Sequence, residues 1–599
     1  MASTTSSVKK RRKHPKSVFI GPGGPWHKSV PRRLSEAYHA EHEQGWTAWR
    51  KHLAKRRYRE LAKLLPAKDS WLLWALPDNF EAAPTLELVE LLWKVERGKA
   101  RRKLDNLKDR VTCWLHDAET APATVDFALE CLAWCGALPR LSTYLTERVW
   151  WSLWNRLAAI VNEQTSSVED PLVMQLLGGE LPLALAYAFP ELSTCRELVA
   201  KGRATISEGM AELLDGEGLP RCRHLPVFQS LLASWTRSRA MGQELSTAWC
   251  SKECAEQYSG IVQHALRLSR PSGQQVFSSP ESQGWNADLI ASAVKFADDR
   301  PTSALFRRLL SGEQDSKRLP APAFEGEWAG IAVLRPDWSR SAPQLTVAYA
   351  QPRMEMELNL GRNCLWSGAW DLEVRFNSQL LEKRGIWEQL CWLSDDDVDY
   401  LELEMQFSLE VTVQRHLLLA REDRILFMAD AVLGIQQGHI EYRGFLPVQG
   451  FSSFAGEADT REGGLVIGGK TRARVLPLAL PEWRASSAPG SLKAGDRGLE
   501  LTQTADAQSL LAPLFVDLDR KRLGKELTWR QLTVAQTRQI VPQEMAVGYR
   551  AQVGKSQWLA YRSLAPADVR TVLGKNLATE FLVGSLNSEG KVKTIVEIE

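Results

Sequence analysis

The segment "LLDGEGLPRCRHLPVFQSLL", residues 213–232, places two arginines and a histidine within four positions. A guanidinium group presents a fork of N–H donors that matches the two oxygens of a carboxylate. Arg221, Arg223 and His224 can therefore hold an acidic group, and the imidazole of His224 can also transfer a proton. A structural interpretation remains open, in which the segment is only the start of a helix and its arginines pair with neighbouring carboxylates.

The rest of the sequence lacks the motifs of several common enzyme classes. It contains no G-x-S-x-G, no Walker loop, no H-E-x-x-H and no Gly-rich dinucleotide-binding turn. The four carboxylates of "SDDDVDY", residues 394–400, lack the spacing and distal Glu of an EF-hand and are typical of a solvated turn. The pairs Cys131/Cys135 and Cys250/Cys254 lie in helical sequence with too few further ligands for a zinc site. We predict neither a cofactor nor a metal site.

Basic residues are concentrated at the start of the chain. The lysines and arginines of "KKRRKHPK" contribute +6 within the first 17 residues, whereas the whole chain of 599 residues carries +3. The remainder is slightly acidic, which argues against a nucleic-acid-binding surface. We interpret residues 1–30 as a disordered basic tail, with a localisation signal or a nucleic-acid-binding arm as alternatives. Because no apolar signal region and no uncharged run of 18 apolar residues occurs, and the nine Cys form no CxxC pair, we expect a cytoplasmic protein without a membrane partner.

Residues 31–310 show the apolar spacing of three and four positions that is typical of amphipathic helices. About ten such segments follow one another without a fixed repeat period, which predicts an all-helical layer or an incomplete α/α toroid. Fourteen of the 23 Trp lie before residue 290. Such side chains fill gaps between packed helices or line sugar-binding clefts, and we expect core packing for most of them.

The composition changes at residues 311–330, which are rich in Pro, Gly and charge and predict a linker. Beyond it, residues 331–599 contain more than ten alternating or β-branched segments without intervening helices, which predicts a large antiparallel β-sandwich domain. The most regular segment is residues 401–413, where every odd position is apolar and every even position is polar. This alternation predicts a single strand of 13 residues with one face exposed to water.

The order of the two domains, together with two short segments, resembles the heparinase II/III-like polysaccharide lyases. In "VQRHLLLAREDRILFMADAVLG", Arg415, His416 and Asp430 match the sandwich hairpin of that family. In residues 213–232, an Asp-Gly pair precedes the polar cluster and a Pro-x-aromatic step follows it, as in the family. The resemblance implies an α+β multidomain fold, with the helical toroid before the antiparallel sandwich. It also implies cleavage of an acidic, uronate-containing polysaccharide or oligosaccharide by β-elimination.

This chemistry needs neutralisation of the sugar carboxylate, a base that takes the neighbouring proton and an acid that protonates the leaving oxygen. If this chain has a base, the candidates are His224, Tyr258, or a residue of the sandwich such as His416, His439 or Tyr442. The side chains implied for substrate binding are Asp215, Arg221, Arg223, Gln229, Trp235, Trp285, Asn286, His439 and Tyr442.

Two departures separate the chain from the family's pattern. Phe228 and Gln229 stand where a Tyr-His pair is usual, and residues 270–288 contain no tyrosine. A catalytically inactive protein that binds glycan or another partner on the same fold is therefore the alternative prediction.

Several of these residues also have structural interpretations. His416 continues the polar positions of the strand that begins at Leu401, which is typical of a solvated sheet residue. His439 and Tyr442 lie three apart in a strand and are expected to point to opposite faces. Asn286 stands before a predicted helix and is a typical N-cap. The sequence makes no prediction of the oligomeric state.

Overall fold

The computed structural model describes residues 26–27, 30–34, 36, 42–55, 64–66, 68–78, 80–99, 106–163, 169–279, 286–311, 319–448, 450–587 and 589–599. Residues 1–25 of the predicted basic tail and the substrate-binding candidate Trp285 lie outside these ranges. The chain divides into two compact units, residues 1–212 with 230–256 and residues 213–229 with 257–599. The predicted domain boundaries at residues 310 and 330 stay a prediction.

The first unit is helical. Its helices are α1 (His42–Lys55), α2 (Ala83–Glu96), α3 (Leu107–Asp117), α4 (Val125–Leu141), α5 (Glu147–Glu163), α6 (Pro171–Met174), α7 (Leu181–Ala188), α8 (Ser193–Leu213) and α9 (Phe228–Glu244), the last two extending slightly into the second unit. A 3₁₀ turn lies at Trp71–Leu73, and a π-helical turn at Gln175–Glu180 joins α6 to α7. The stretch Pro171–Ala188 is long and apolar enough to cross a membrane, but 78% of it is buried within the protein, as in the core helix of a globular domain.

Tryptophans fill the core of this unit. Trp49, Trp150 and Trp154 are at most 1% exposed, and Trp150 packs edge-to-face against Trp49. Such geometry places the electropositive edge of one ring against the electron-rich face of another. The interpretation of most tryptophans as core residues is confirmed.

The second unit contains the remaining helices and all of the strands that the structure describes. Its helices are α10 (Lys252–Arg267, from residue 257 onward), α11 (Ala287–Ala297) and α12 (Arg300–Ser311), and a 3₁₀ helix lies at Cys222–Val227. The strands are β1 (Phe324–Gly326), β2 (Ile331–Leu334), β3 (Pro343–Ala348), β4 (Glu355–Leu360), β5 (Asn363–Ala369), β6 (Asp371–Phe376), β7 (Gln379–Leu380), β8 (Lys383–Ser394), β9 (Val398–Phe407), β10 (Thr412–Ala420), β11 (Ile425–Leu446), β12 (Ser453–Gly456), β13 (Gly463–Ile467), β14 (Lys470–Pro477), β15 (Gly490–Gly495), β16 (Gly498–Asp517), β17 (Leu527–Leu532), β18 (Ala535–Gln536), β19 (Gln539–Ile540), β20 (Ala546–Val553), β21 (Ser556–Ser563), β22 (Arg570–Val572), β23 (Lys575–Leu577), β24 (Phe581–Leu586) and β25 (Val592–Ile598).

These strands form antiparallel sheets. The first has the order β1-β2-β3-β4-β5, and the largest follows the path β12-β13-β14-β16-β11-β10-β9-β8. A third sheet, β17-β20-β21-β24-β25, contributes Tyr549, Trp558 and Phe581 to a hydrophobic core that it shares with one face of the largest sheet. The predicted fold class, a helical region followed by a large antiparallel β domain, is confirmed. Strand β1 falls within the predicted linker of residues 311–330 and pairs with β2.

The predicted strand of residues 401–413 is wrong, because two strands cover this range. Strand β9 ends at Phe407, and the turn that follows contains Leu409 and Glu410 with φ of 60° and 56°. Strand β10 then returns antiparallel, with Leu403 opposite Arg415. Since odd positions pair with odd positions, the apolar alternation continues through the turn, and the turn has none of the Gly, Asn, Asp or Pro residues that usually mark one.

The expected solvent-exposed face is also wrong in part. Leu401 and Leu403 point into one core, as predicted, but Tyr400 belongs to a second core on the opposite face. Glu402 and His416, on that second face, are 4% and 0% exposed. The third sheet therefore covers positions that the sequence pattern assigns to water.

Candidate functional site

The segment Leu213–Val227 of the second unit is built around a tight turn. Asp215 Oδ1 accepts hydrogen bonds from the backbone N–H groups of Glu217 and Leu219, both at 2.8 Å. Gly218 has φ of +88°, and a Cβ there would lie 2.6 Å from the backbone nitrogen of Ile261. The Asp-Gly motif thus has a structural role, because Asp215 closes the turn that precedes the arginines.

The 3₁₀ helix Cys222–Val227 then orients the predicted polar cluster. The guanidinium of Arg221 lies over the Trp328 ring at 4.0 Å from its centroid, a cation–π contact. Arg223 Nε donates to His224 Nε2 at 3.1 Å, so the Nη groups of Arg223 take no part in that bond. Trp328 is 44% exposed, Arg223 is exposed, and Arg221 and His224 are half-buried. We call Arg221, Arg223, His224 and Trp328 the arginine cluster.

Neither arginine of the cluster forms an ion pair with a carboxylate in the part of the chain that the structure describes. The Nε of Arg221 is buried without a hydrogen-bond partner among those residues. By comparison, Nε and Nη2 of Arg237, on α9, donate to the two carboxylate oxygens of Glu180. Among the described residues, the ion pairs expected in the structural interpretation of Arg221 and Arg223 are therefore not formed.

A carboxylate and a phenol meet beside the cluster. Tyr349, which directly follows β3, donates to Glu325 Oε1 of β1 at 2.5 Å. The side-chain amide of Gln389 is oriented so that its Nε2 donates both to the Glu325 carboxylate and to the Tyr349 oxygen, the latter at 3.0 Å. Burial is the largest effect on the pKa of Glu325 and raises it. The Tyr349 hydrogen bond is the second-largest effect and lowers the pKa, and nearby Glu327 raises it by a smaller amount. Burial and Glu325 raise the pKa of Tyr349, so its phenol keeps its proton.

Backbone contacts connect this pair to the arginine cluster. The turn between β1 and β2 carries Trp328 and ends at Gly330, whose carbonyl accepts from Tyr349 N at 2.7 Å. In the same turn, the carbonyl of Ala329 accepts from Cys222 N at 2.8 Å, next to Arg221 and Arg223. The site therefore joins elements separated by more than 100 residues in sequence.

Sequence reasoning missed Trp328, Glu325 and Tyr349. The first two fall in "FEGEWAG", within the predicted linker, and Tyr349 ends the strand "QLTVAYA" without a neighbouring polar motif. Nothing in their local sequence indicates a site. Their proximity to residues 221–224 depends on the pairing of β1, β2 and β3.

Two of the predicted proton-transfer residues are buried. Tyr258 is 0% exposed within α10. His416 is 0% exposed, its Nδ1 lies 2.9 Å from the Tyr400 oxygen, and burial, with a smaller effect of Arg562, holds its pKa well below the usual range. Neither side chain can meet a polysaccharide, which corrects both predictions and also the solvated interpretation of His416. Of His224, Tyr258 and His416, His224 is the one that reaches the surface.

The substrate-binding predictions divide in a similar way. Trp235 is 0% exposed in the first unit and donates to Gln175 Oε1 at 2.9 Å, so it is a core residue. Asn286 Oδ1 accepts from the backbone N–H groups of Asp288 and Leu289, the pattern of an N-cap on α11. Gln229 is half-buried, with Nε2 lacking a partner among the described residues.

The two remaining predictions lie on β11. Tyr442 is 1% exposed and donates to Asp430 Oδ2 at 2.6 Å, so its role is internal. His439 is 44% exposed at its side chain, with Nδ1 2.7 Å from Asp506 Oδ1. Within the described ranges, no hydrogen bond, ion pair or ring contact joins Tyr442 or His439 to the arginine cluster.

Comparisons with known proteins identify the fold of this chain. No family model matches the chain, and no curated protein matches it by sequence. Among solved structures, a heparinase III, the BT4657 gene product, superposes with a TM-score of 0.63 at 10% identity over 90% of this chain and 98% of its own. The chain has the heparinase III fold.

Two further structures share the heparinase III fold with this chain. Another heparinase III gives a TM-score of 0.63 at 10% identity, over 90% of this chain and 99% of its own. The heparan sulfate lyase HepC from Pedobacter heparinus gives 0.56 at 12% identity, over 90% and 98%. The predicted resemblance is therefore confirmed at the level of the heparinase III fold.

Proposed function

We propose that this protein binds an acidic, uronate-containing polysaccharide or oligosaccharide at the arginine cluster and cleaves it by β-elimination. The observation that carries the proposal is a pair of guanidinium groups that have no carboxylate partner among the described residues. One of them lies on an exposed tryptophan, and both are next to the Glu325–Tyr349 pair. The heparinase III fold supports the same substrate class, because solved structures with this fold include heparinase III and a heparan sulfate lyase.

Arg221 and Arg223 hold the sugar carboxylate in this proposal. Their forks of donors neutralise its charge, which makes the neighbouring C–H bond more acidic. Trp328 offers a flat apolar face to a sugar ring while it keeps Arg221 in place. The half-buried position of Arg221 strengthens its interaction with an anion, since the local dielectric is lower than in water.

Glu325 is the proposed base. It takes the proton from the carbon next to the carboxylate, the electron pair of that C–H bond forms a carbon–carbon double bond, and the glycosidic C–O bond breaks. His224 Nε2 accepts from Arg223 in the free protein, so in this proposal it first takes up a proton in place of that hydrogen bond and then gives the proton to the leaving oxygen. The raised pKa of Glu325 favours this role because a base works best when its pKa approaches the working pH. Tyr349 is a positioning residue that orients the Glu325 carboxylate.

The experiment follows the unsaturated uronate, which absorbs in the ultraviolet, during incubation with a panel of uronic-acid polysaccharides. We expect absorbance to rise with the wild-type protein and to stay near the background for Arg223→Ala and His224→Ala. Arg530→Ala removes an exposed arginine on β17 and is the matched control. Loss of activity in that control as well, or full activity in Arg223→Ala, would contradict the proposal.

A catalytically inactive glycan-binding protein is the second candidate. The burial of Tyr258 and His416 favours it, because the side chains that the resemblance implies for proton transfer are largely inaccessible. This candidate predicts that the same polysaccharides bind, with affinity lost in Arg223→Ala, while no ultraviolet signal develops. Binding and absorbance measured on the same samples therefore separate the two candidates.

A further inference from the structure

A cavity in the first unit has no part in the proposed elimination. Its empty space of about 600 Å³ includes open solvent at the mouth, and about 50 Å³ of it can hold the centre of a water-sized molecule. Its walls come from the 3₁₀ turn at Trp71–Leu73, from α2, α4 and α7, and from α9. Aliphatic and aromatic side chains dominate them, including Trp71 and Trp93, whose rings meet edge-to-face at 4.2 Å. A concave apolar site with few polar groups is the usual form of a small-molecule pocket.

The first polar feature of the cavity is an internally neutral ion pair. Arg237 Nε and Nη2 donate to the two Glu180 oxygens at 2.6 and 2.9 Å, and Arg237 Nη1 donates to the Trp71 carbonyl at 3.0 Å. Both side chains are nearly fully buried. Because each charge is matched and hydrogen-bonded, this pair offers no net charge to a ligand.

The second polar feature is Glu96, at the end of α2. Its carboxylate lies against the bare backbone of α4, where a Cβ at Gly136 would be 3.1 Å from Glu96 Oε2. No hydrogen bond or ion pair to Glu96 occurs within the described residues. Burial raises its pKa to about 7, against the lowering effects of Arg97 and Arg140. A carboxylate in this setting gains from a cationic partner more than one that is already paired.

We propose that this cavity binds a small organic ammonium ion, with its charged nitrogen at Glu96 and its apolar body between Trp71, Trp93 and the aliphatic wall. The electron-rich face of an indole attracts a cation as well as an apolar group, and Arg97 already lies over the Trp93 ring at 5.0 Å from its centroid. A neutral apolar molecule would fill the same space but would leave the half-buried carboxyl without a cationic partner from the ligand.

Binding of such a cation is linked to protons. An ammonium ion binds the ionised form of Glu96, so affinity rises as the pH passes upward through about 7. The other charged and titratable groups around the carboxyl are Arg97, Arg140, Cys135, Glu180 and Arg237. Burial holds the pKa of Cys135 well above its usual range, so its thiol stays neutral and does not contribute to the linkage.

The test uses 2-phenylethylamine and its neutral analogue 2-phenylethanol as probes for the full-length protein, with affinity measured by calorimetry at about pH 6 and about pH 8. We expect the amine to bind about tenfold more tightly at the higher pH, because the ionised fraction of Glu96 rises from about one tenth to about nine tenths. The alcohol should show little dependence on pH.

Two variants complete the test. Glu96→Gln should remove the pH dependence and weaken the amine at least tenfold while the alcohol binds as before. Ala184→Leu, which fills the cavity from α7 without changing Glu96, should weaken both probes. Circular dichroism on each variant reports whether it is folded. Failure of the folded wild-type protein to bind the amine, or equal amine binding by Glu96→Gln, would overturn the inference.

Discussion

Tyr349 donates its phenolic proton to Glu325 Oε1 across 2.5 Å, from a position just beyond β3 to the middle of β1. This hydrogen bond stabilises the ionised form of Glu325 and works against burial and Glu327, which raise its pKa. Activity that depends on an ionised Glu325 should therefore depend on the phenol as well.

Replacement of this phenol is the first prediction. Tyr349→Phe removes the interaction that lowers the pKa of Glu325, so the acid limb of the kcat/KM profile for elimination should move to higher pH. We expect about a tenfold loss at neutral pH, against a loss of about 10²-fold or more for Glu325→Gln. Tyr144→Phe, at a tyrosine that is 55% exposed, is the control. An unchanged pH profile in Tyr349→Phe would exclude Glu325 as the base.

The second prediction separates charge from geometry at Arg221. Lysine keeps the positive charge but loses both the fork of donors and the flat face that stacks on Trp328. We expect Arg221→Lys and Trp328→Ala each to raise KM for an acidic oligosaccharide about tenfold, with a smaller effect on kcat. Arg530→Lys should change neither constant. Equal KM values for wild type and Arg221→Lys would mean that only charge at this position matters.

The sequence predicted the fold better than it predicted the site. The 3.6-residue and two-residue periodicities separate the helical region from the sheets, because each reports which face of an element is buried. The same rule fails at residues 401–413. There, odd-numbered residues of β9 pair with odd-numbered residues of β10, so the apolar alternation continues unbroken through the turn at Leu409. It also fails at Glu402 and His416, because periodicity within one strand does not reveal a second sheet packed on its polar face.

The site was only half predictable, for a related reason. Arg221, Arg223 and His224 are close in sequence, and their chemistry is evident from residue type alone. Glu325 and Tyr349 come together only through strand pairing, and a single sequence gives no signal for that pairing. Burial cannot be read from residue type either, so Tyr258 and Trp235 were predicted as ligand contacts although both are 0% exposed.

A third prediction concerns a buried ion pair between Arg415 and Asp430, two residues that carry the family resemblance in the hairpin. Arg415 Nε and Nη2 donate to the two Asp430 oxygens at 2.7 and 2.8 Å, and both side chains are 0% exposed. Asp430→Asn leaves the guanidinium charge buried without compensation and should reduce the free energy of unfolding by about 3–5 kcal/mol. Tyr442→Phe removes one hydrogen bond to Asp430 and should reduce it by about 1–2 kcal/mol.

Urea denaturation of the two single variants and the double variant measures these effects. Since Tyr442 and Arg415 share Asp430 as a partner, the double variant should be less destabilised than the two single effects together. Arg530→Ala on the surface should change the free energy of unfolding by less than about 0.5 kcal/mol. Full additivity would show that Tyr442 and Asp430 stabilise the sheet independently.

The fourth prediction is the pH dependence of stability. Burial holds the pKa values of His416 and His264 well below their usual range, with smaller effects of Arg562 and Arg267. In the unfolded chain each imidazole binds a proton below about pH 6.5, whereas in the folded protein both stay neutral. The unfolded state thus binds more protons, so stability contributed by these groups is present above about pH 6.5 and is lost as the pH falls below it. Each histidine should contribute a slope of about 1.4 kcal/mol per pH unit in that acidic range.

His416→Gln and His264→Gln should each flatten the dependence of the unfolding free energy on pH by about this amount, as measured in urea between about pH 5.5 and about pH 7.5. If the slope is unchanged in both variants, acid destabilisation arises from other groups, and the Tyr400–His416 contact at 2.9 Å tolerates a charged imidazole.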